Sequence, residues 1–298
     1  MKLEDKLIWL YCYICECYVK ELHTHCQRFS NNSNPRFTDC ELLTCYIFAI
    51  TEEKKTTVKG AYDYTKKYWW SWFPQIPSYK QFDKRLNRLC SVFPFLVQSI
   101  LHQSDFQGVS LVNSLGDSMP ILLANAKRSN TAKVANQFCN KGYCASKGIY
   151  YYGVKLHALA FEKKGTLPLP ELLKITPASE HDLTAIRPEL EKLTDRHFFF
   201  DKAYCDEQLA KDLLNNCNSQ LWTPIKKKKG QKYFKGGEST YSTAVSRVRQ
   251  PIESFFNWID QKTGIQIASK VRSYKGLIVH VFGKLAAAMA LMVFDILN

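Results

Sequence analysis

The sequence predicts an α/β domain that follows an all-helical domain. Apolar residues up to about residue 105 recur at three- and four-residue steps, which is the period of a helix. Later apolar residues form short runs separated by turns and helices, and a late helical pattern surrounds Glu253. Helices first, and then strands alternating with helices, favour two packed units. We place them at residues 1–105 and 106–298.

The first helix of the N-terminal domain is predicted by a single apolar stripe. Leu7, Leu10, Ile14, Tyr18 and Leu22 follow one another at three- and four-residue steps, so they share one helical face. A polar stretch of Ser, Asn and Pro at residues 30–35 then interrupts the pattern. We therefore expect a helix that packs through this stripe and ends in a polar loop.

Two further helices are predicted from their N-terminal caps. Thr38 and Asp39 precede an apolar run, and Ser78 precedes a helix with one apolar face. The basic residues of this last helix lie largely off the apolar face: Lys80, Lys84, Arg85 and Arg88. Short helices ending in a basic one are typical of a helix-turn-helix-like DNA-binding module. An ordinary helical domain with a solvated basic face explains the pattern equally well.

The first helix also carries side chains that can bind zinc: Cys12, Cys15, Cys17, His23, His25 and Cys26. Cys12 and Cys26 are roughly 21 Å apart if one helix joins them at 1.5 Å per residue. One tetrahedral ion cannot reach both ends of that span. Zinc would require the helix to break, and neither Gly nor Pro lies between the two cysteines. We therefore disfavour a zinc site.

The charge balance predicts a polyanionic partner. The chain has 298 residues, 41 Lys and Arg against 27 Asp and Glu, and a formal net charge of +14. Such an excess most often serves nucleic-acid binding, although it carries no information about fold. The hydrophobic content of 46% is too high for a disordered protein.

The cysteine content and the chain's apolar segments indicate a compartment. Eleven cysteines at irregular spacings favour reduced thiols and a cytoplasmic protein. Acidic residues near Met1 do not resemble the start of a secretory signal. The most apolar run, at residues 277–297, is interrupted by His280, Lys284 and Asp295. We expect it to form a buried core helix and not to span a membrane.

Short apolar runs after residue 106 predict the sheet. Strands are expected at residues 110–114, 151–161, 172–175, 197–200 and 221–225, with helices at residues 181–193 and 207–214. This alternation indicates an α/β sheet flanked by helices and excludes a β-sandwich.

Three carboxylates occupy conspicuous positions in this layout. Asp117 follows the first predicted strand, Asp201 follows three phenylalanines at the end of the fourth, and Glu253 lies among apolar residues on a late helix. A charge at the end of a buried strand is costly unless a cation compensates it. Three converging carboxylates would suit Mg²⁺ or Mn²⁺. From spacing alone, three unrelated cap or salt-bridge residues remain an equal alternative.

Five short motifs suggest a family. The chain carries Asp117-Ser118-Met119-Pro120-Ile121, Gly153-Val154-Lys155-Leu156-His157, Ile175-Thr176-Pro177-Ala178 with His181-Asp182, Phe200-Asp201-Lys202-Ala203-Tyr204, and Arg249 with Ile252-Glu253-Ser254-Phe255-Phe256. In these motifs and their order it resembles the bacterial insertion-sequence transposases, which have an RNase H-like core and an Asp-Asp-Glu triad. Residues around Phe37 and Pro77 also look like the N-terminal region of that family, so the likeness covers nearly the whole chain.

The resemblance implies a catalytic and metal-binding triad of Asp117, Asp201 and Glu253, holding two Mg²⁺ ions or Mn²⁺ as a substitute. It implies that the protein binds double-stranded DNA at terminal inverted repeats, hydrolyses the ends and joins the freed 3′-hydroxyls to target DNA. Synapsis of two ends further implies a homodimer. Arg249 lies one helical turn before Glu253 and is expected to face the same DNA. Ser246 and Asp260 stand where related groups have a tyrosine and a lysine, so those two roles are not assigned.

Further basic residues are candidates for phosphate contacts. Six lysines lie between residues 226 and 235, next to flexible glycines, and Lys226, Lys227, Lys228 and Lys229 form their densest run. A solvated lysine loop is the plain alternative. Lys155 and Lys202 are further candidates, together with Lys80, Arg85 and Arg88 of the N-terminal domain. His157, His181 and Asp182 are expected to support the triad, although His181 and Asp182 also look like a helix start.

Two other functions remain open at this point. A DNA-binding protein derived from a transposase would keep the fold without strand transfer. A nuclease of the same fold would cut DNA without joining it.

Overall fold

The computed structural model describes residues 2–27, 35–145, 147–227, 230–231, 233–294 and 297. Its contacts divide the chain into two compact units, one of Met1–Asp105 with Ile259–Asn298 and the other of Phe106–Trp258. The division after residue 105 coincides with the predicted boundary. Residues 259–298, which we placed in the second domain, instead group with the N-terminal helices.

The described part of the first unit is helical. Its N-terminal elements are α1 (Leu3–Cys17), a π-helical turn (Tyr18–Leu22), α2 (His23–Cys26), α3 (Asp39–Glu53), α4 (Val58–Tyr68), α5 (Tyr79–Arg88) and α6 (Val92–Leu101). The backbone stays helical from Leu3 to Cys26, so Cys12 and Cys26 lie far apart along it, as we expected. Leu7, Leu10, Ile14 and Leu22 are buried, which confirms most of the predicted stripe.

A capping box fixes the start of α3. The Thr38 hydroxyl accepts a hydrogen bond from the Glu41 N–H at 3.1 Å, and the Glu41 carboxylate accepts one from the Thr38 N–H. Asp39, the first helical residue, is buried and pairs with Arg85 and Arg88 of α5 at 2.8 and 3.0 Å. The basic face of α5 is therefore partly used to neutralise a buried acid inside this unit.

The C-terminal helices complete this unit. After α9, described below, come α10 (Tyr274–Ile278), a π-helical turn (Val279–Gly283) and α11 (Lys284–Val293), which packs against α3 and α6. Apart from Lys275, His280 and Lys284 this stretch is almost wholly apolar, so most of its faces need apolar neighbours. Tyr274–Val293 is long and apolar enough to cross a membrane, but 78% of its most apolar window is buried in the protein. The predicted burial is confirmed.

The second unit combines a mixed sheet with helices. Its elements are β1 (Val109–Asn125), β2 (Asn140–Cys144), β3 (Ile149–Lys163), β4 (Leu169–Pro177), α7 (Asp182–Leu190), β5 (His197–Phe199), α8 (Glu207–Cys217), β6 (Gln220–Trp222) and α9 (Glu238–Thr263), whose last residues belong to the first unit. The α/β class and both intervening helices are confirmed, and each of the five predicted strands overlaps an observed strand. The short strand β2 was not predicted.

The described residues form a six-stranded sheet in the order β2-β3-β1-β5-β6, with β4 also paired to β3. β1 is antiparallel to β3 and parallel to β5, so it lies where the antiparallel and parallel parts of the sheet meet. β1 is far longer than the predicted strand at residues 110–114. Asp117 lies within it and is paired with Ala158, so the prediction that Asp117 follows a strand is wrong.

Candidate active site

Two of the predicted carboxylates lie where two neighbouring strands stop pairing in parallel. The register pairs Leu115 of β1 with Phe199, the last residue of β5. Two residues beyond this pair come Asp117, still within β1, and Asp201, just after the end of β5. Neighbouring strands run about 4.8 Å apart, so the two carboxylates share one end of the parallel pairing. The electrostatic effect of Asp201 on Asp117 reflects this proximity.

The residues just before the two acids pack tightly together. Gly116 precedes Asp117, Phe200 precedes Asp201, and the Phe200 ring lies over the Gly116 backbone. A Cβ on residue 116 would stand 1.9 Å from the Phe200 Cε1 atom, which is far inside van der Waals contact. Phe200 is 1% exposed and belongs to a core formed with Phe198, Leu209 and Leu213, so the ring has no room to move. Glycine at 116 is therefore required for the close approach of the two acidic positions.

Arg249 connects the third predicted acid to Asp117. Its Nη1 donates a hydrogen bond to Asp117 Oδ2 at 2.9 Å, and its Nη2 donates one to Glu253 Oε1. Arg249 and Glu253 are one turn apart on α9, which places both side chains on the same helical face. The Arg249 side chain is only 12% exposed. Burial acts to lower its pKa, but the carboxylates outweigh burial and raise it.

Asp117 carries a buried charge that its neighbours only partly offset. Burial raises the pKa of its carboxyl from 3.8 to about 6, and repulsion from Asp201 and Glu253 adds to the rise. Arg249 and the Ser118 backbone N–H, which donates to Asp117 Oδ1 at 2.8 Å, act in the opposite direction. The raised pKa indicates a site with more negative charge than its surroundings compensate.

The three carboxylates fit a divalent cation by donor chemistry. Carboxylate oxygens are the ligands that Mg²⁺ and Mn²⁺ prefer, and the excess negative charge at Asp117 would be relieved by one. Within the described residues, however, no three His, Cys, Asp or Glu side chains stand close enough together to hold one ion. In this arrangement the Arg249 guanidinium supplies the positive charge between Asp117 and Glu253.

An open groove of about 380 Å³ runs along α9 beside Glu253. Its lining combines cations with hydroxyl and amide groups: Phe234, Ser239, Ser242, Thr243, Ser246, Arg247, Arg249, Gln250 and Glu253. Arginine and hydroxyl side chains are common partners of phosphate oxygens. The groove therefore offers phosphate-binding groups next to the carboxylates.

The predicted supporting residues lie on β3 and at the start of α7, and they have separate partners. Lys155 donates hydrogen bonds from its Nζ to Asp182 Oδ1 at 2.9 Å and to the Glu180 carbonyl at 2.8 Å. His157 Nε2 lies 2.7 Å from the Thr176 hydroxyl, and burial lowers the pKa of the imidazole to about 4 despite Asp182 nearby. His181 occupies the N-cap position of α7. Lys155 is thus engaged with Asp182 inside the unit.

The other predicted DNA contacts have different surroundings. Lys80, Lys202, Lys226 and Lys227 are exposed, and the Lys227 ammonium lies 4.7 Å from the centre of the Phe234 ring. Lys228 and Lys229 lie outside the described residues. Arg85 and Arg88 pair with Asp39, and Arg88 also donates to the Cys26 carbonyl at 3.1 Å. A role of these residues in DNA binding stays a prediction.

Sequence reasoning missed Gly116 and Phe200 as residues that position the site. A signal was available, because a glycine inside a strand often marks the close approach of another group. Phe200 was read only as part of an apolar strand, and its partner lies 84 positions earlier in the chain.

The raised pKa of Asp117 makes a prediction about stability. Its folded-state pKa of about 6 lies above the ordinary value of 3.8, so the folded protein holds this proton more tightly than the unfolded chain. The resulting stabilisation is present below about pH 4 and is lost as the pH rises through 6. Asp117→Asn removes this dependence. We expect its free energy of unfolding, relative to wild type, to rise by about 3 kcal/mol between about pH 4 and pH 7.

Urea titrations of both proteins across this pH range measure the difference directly. Gln103→Ala, an exposed substitution in the other unit that removes no titrating group, is the control and should give a flat difference. If the free energy of unfolding of Asp117→Asn relative to wild type also stays constant with pH, the raised pKa of a buried Asp117 is contradicted.

Comparison with known families identifies the chain. A family model described as "Transposase DDE domain" matches residues 103–273, which is 171 of the 298 residues and includes all three carboxylates and Arg249. The comparisons with curated proteins and with solved structures give no match. The matched region carries the mixed sheet, the paired acidic positions and the helix of Glu253. The chain therefore belongs to the transposase DDE domain family.

Proposed function

We propose that this protein is a metal-dependent DNA transposase of a bacterial insertion sequence, with Asp117, Asp201 and Glu253 as its catalytic carboxylates. The observation that carries the proposal is their arrangement: Asp117 in β1 and Asp201 just after β5 each lie two residues past the last pair of the parallel register, and Arg249 links Asp117 to Glu253. The mixed sheet with flanking helices is consistent with an RNase H-like core. The protein would bind the element's terminal inverted repeats, hydrolyse the ends and join the 3′-hydroxyls to target DNA.

The three carboxylates would hold two Mg²⁺ ions, with Mn²⁺ as a substitute. Such ions lower the pKa of the attacking water or 3′-hydroxyl and stabilise the departing oxygen. The protein supplies the negative charge that holds them in place and, through the tight packing of Gly116 and Phe200, a fixed spacing between Asp117 and Asp201. Arg249 and the hydroxyl groups of the α9 groove would hold the phosphates on either side of the scissile bond.

Holding the DNA ends is the second requirement, and the basic residues support it. Lys202 follows Asp201 directly, and Lys226 and Lys227 are exposed ahead of α9. In the N-terminal unit, which we propose acts as a helix-turn-helix-like DNA-binding domain, Lys80 is exposed on α5. We expect a homodimer on DNA, because two element ends must be brought together.

A cleavage and joining assay tests the function. The substrate is a duplex taken from the DNA that flanks the coding region, with a supercoiled plasmid as target. We expect nicking at the repeat boundary and joined products with Mg²⁺ or Mn²⁺, and neither with EDTA. Light scattering of the DNA complex measures the subunit number.

The other outcomes separate the alternatives. Cutting without joined products would identify a nuclease. Tight retention of the duplex with no cutting in either metal would identify a DNA-binding protein that has lost strand transfer, and would overturn the proposal.

A further inference from the structure

A continuous part of the second unit is basic and contains no acidic residue. Between Asp117 and Glu162 the chain has 44 residues with six Lys or Arg and no Asp or Glu. At the chain's average composition a segment of this length would hold about four acids. This acid-free segment, residues 118–161, comprises the second half of β1, most of β3, the edge strand β2 and the connections between them.

The positive charge of the acid-free segment lies at the surface. Five of its six basic residues are exposed: Lys127, Arg128, Lys133, Lys141 and Lys147. The sixth, Lys155, is bound to Asp182. Because the segment holds six basic residues and no carboxylate of its own, it carries a formal charge of +6 and would attract a polyanion.

Two exposed tyrosines lie beside the cations on the edge of the sheet. Tyr143 of β2 and Tyr150 of β3 are cross-strand partners, 51% and 55% exposed, with ring centres 4.9 Å apart. The Lys141 ammonium lies 4.4 Å from the centre of the Tyr150 ring. A lysine on an edge strand also protects against strand pairing with another molecule. That protection does not explain two large exposed rings, whereas tyrosine hydroxyls and lysines together suit a sugar–phosphate backbone.

Close packing and hydrogen bonds hold this surface in position. Gly142 of β2 packs so closely on the Ala178 carbonyl that a Cβ there would stand 2.2 Å from the oxygen. Asn140 donates from Nδ2 to the Ser179 hydroxyl at 2.7 Å and accepts from the Ser179 N–H at 2.8 Å. The Tyr152 hydroxyl donates to the Val134 carbonyl at 3.1 Å, which fastens the connection between β1 and β2. A preformed surface loses little entropy on binding.

We propose that the exposed cations of the acid-free segment bind the phosphate backbone of duplex DNA at a distance from the carboxylates. This rests on the proposed function, because the DNA is the duplex that is cut or joined. β1 joins the two places directly: eight residues separate Asp117 from Asn125, roughly 26 Å at 3.3 Å per residue. At 3.4 Å per base pair, the contacts would fall roughly eight base pairs from the reacting phosphate. The surface has five exposed cations and only two exposed tyrosine rings. It therefore suits the phosphates of a duplex better than the stacked bases of a single strand.

The salt dependence of DNA binding tests this surface. The segment variant, named for the acid-free segment, carries Lys127→Gln, Lys133→Gln and Lys141→Gln. The matched control carries Lys164→Gln, Lys192→Gln and Lys211→Gln, three exposed lysines of the same unit outside the segment. Both lose the same net charge, so long-range attraction falls equally. Affinity for a labelled duplex is measured by anisotropy between about 50 and 200 mM salt, because each lost phosphate contact lowers the slope of log K against log salt by about 0.9.

We expect the segment variant to lower this slope by about 2 to 3 and the control to leave it near the wild-type value. Hydroxyl-radical footprints should lose protection roughly eight base pairs from the cleavage site only in the segment variant. Equal slopes and footprints for the two variants would overturn the proposed surface while leaving the proposed function intact. If the wild-type protein does not bind duplex DNA at all, both proposals fail.

Discussion

Asp201→Ala is expected to reduce Mg²⁺-dependent cleavage of the element's ends by about 10³-fold or more, with DNA binding retained. The carboxylate lies beside Asp117, at the end of β5, and its loss removes an oxygen ligand from the proposed metal site. Metal ions supply several kcal/mol of transition-state stabilisation, and each 1.36 kcal/mol corresponds to a tenfold change in rate. Single-turnover cleavage of a labelled terminal repeat measures the loss, and anisotropy measures binding.

Glu207→Ala provides the control for charge. Glu207 is exposed in the first turn of α8, and its removal changes the net charge by the same amount as the loss of Asp201. Any general gain in DNA affinity is therefore common to both variants. Cleavage by Asp201→Ala at the rate of Glu207→Ala would refute the assignment of Asp201 as a catalytic residue.

Gly116→Ala is expected to impair both stability and cleavage, although it alters no charged group. The added methyl would overlap the Phe200 ring, which the core prevents from moving, so β1 and β5 must separate. Overpacking of this kind costs about 1–3 kcal/mol, occasionally more. The separation also displaces Asp117 from Asp201, and misplacement by about 1 Å can cost a catalytic step 10²-fold.

Thermal unfolding and the terminal-repeat cleavage assay measure the two effects. Gly237→Ala is the matched control, because a Cβ at that exposed glycine meets nothing within 4 Å. Gly116→Ala combined with Phe200→Leu removes the ring atoms that cause the overlap, and should recover part of the cleavage lost by Gly116→Ala. If Gly116→Ala behaves like Gly237→Ala, the close packing of the two strands does not set the spacing of the acids.

Local patterns were sufficient to predict the elements that bury one clear face. A few neighbouring residues are enough to predict each of these elements. Examples are the apolar stripe of α1, the Thr38 cap of α3 and the run of phenylalanines in β5. β2 was missed because Asn140, Lys141 and Gly142 form no apolar run. β1 was predicted too short because Gly116, Asp117 and Ser118 interrupt its apolar pattern.

Long-range relations were beyond the sequence patterns. The apolar composition of residues 277–297 predicts burial, but nothing in it indicates that α11 packs against α3 and α6. Likewise, Arg85 and Arg88 look like solvated basic residues until the burial of Asp39, 46 and 49 positions earlier, is known. In the candidate site, the resemblance supplied the three acids, whereas the ion pairs of Arg249 with Asp117 and Glu253 emerged only from the fold.

The contact between Gly116 and Phe200 bears on how copies of such an element lose activity. A gene copy in which residue 116 has mutated to any larger residue would still encode all three acids, and inspection of the triad alone would score it as intact. One base change in a glycine codon suffices for such a mutation. Counting active copies in a genome therefore requires reading the residue before the first acid together with the aromatic residue before the second.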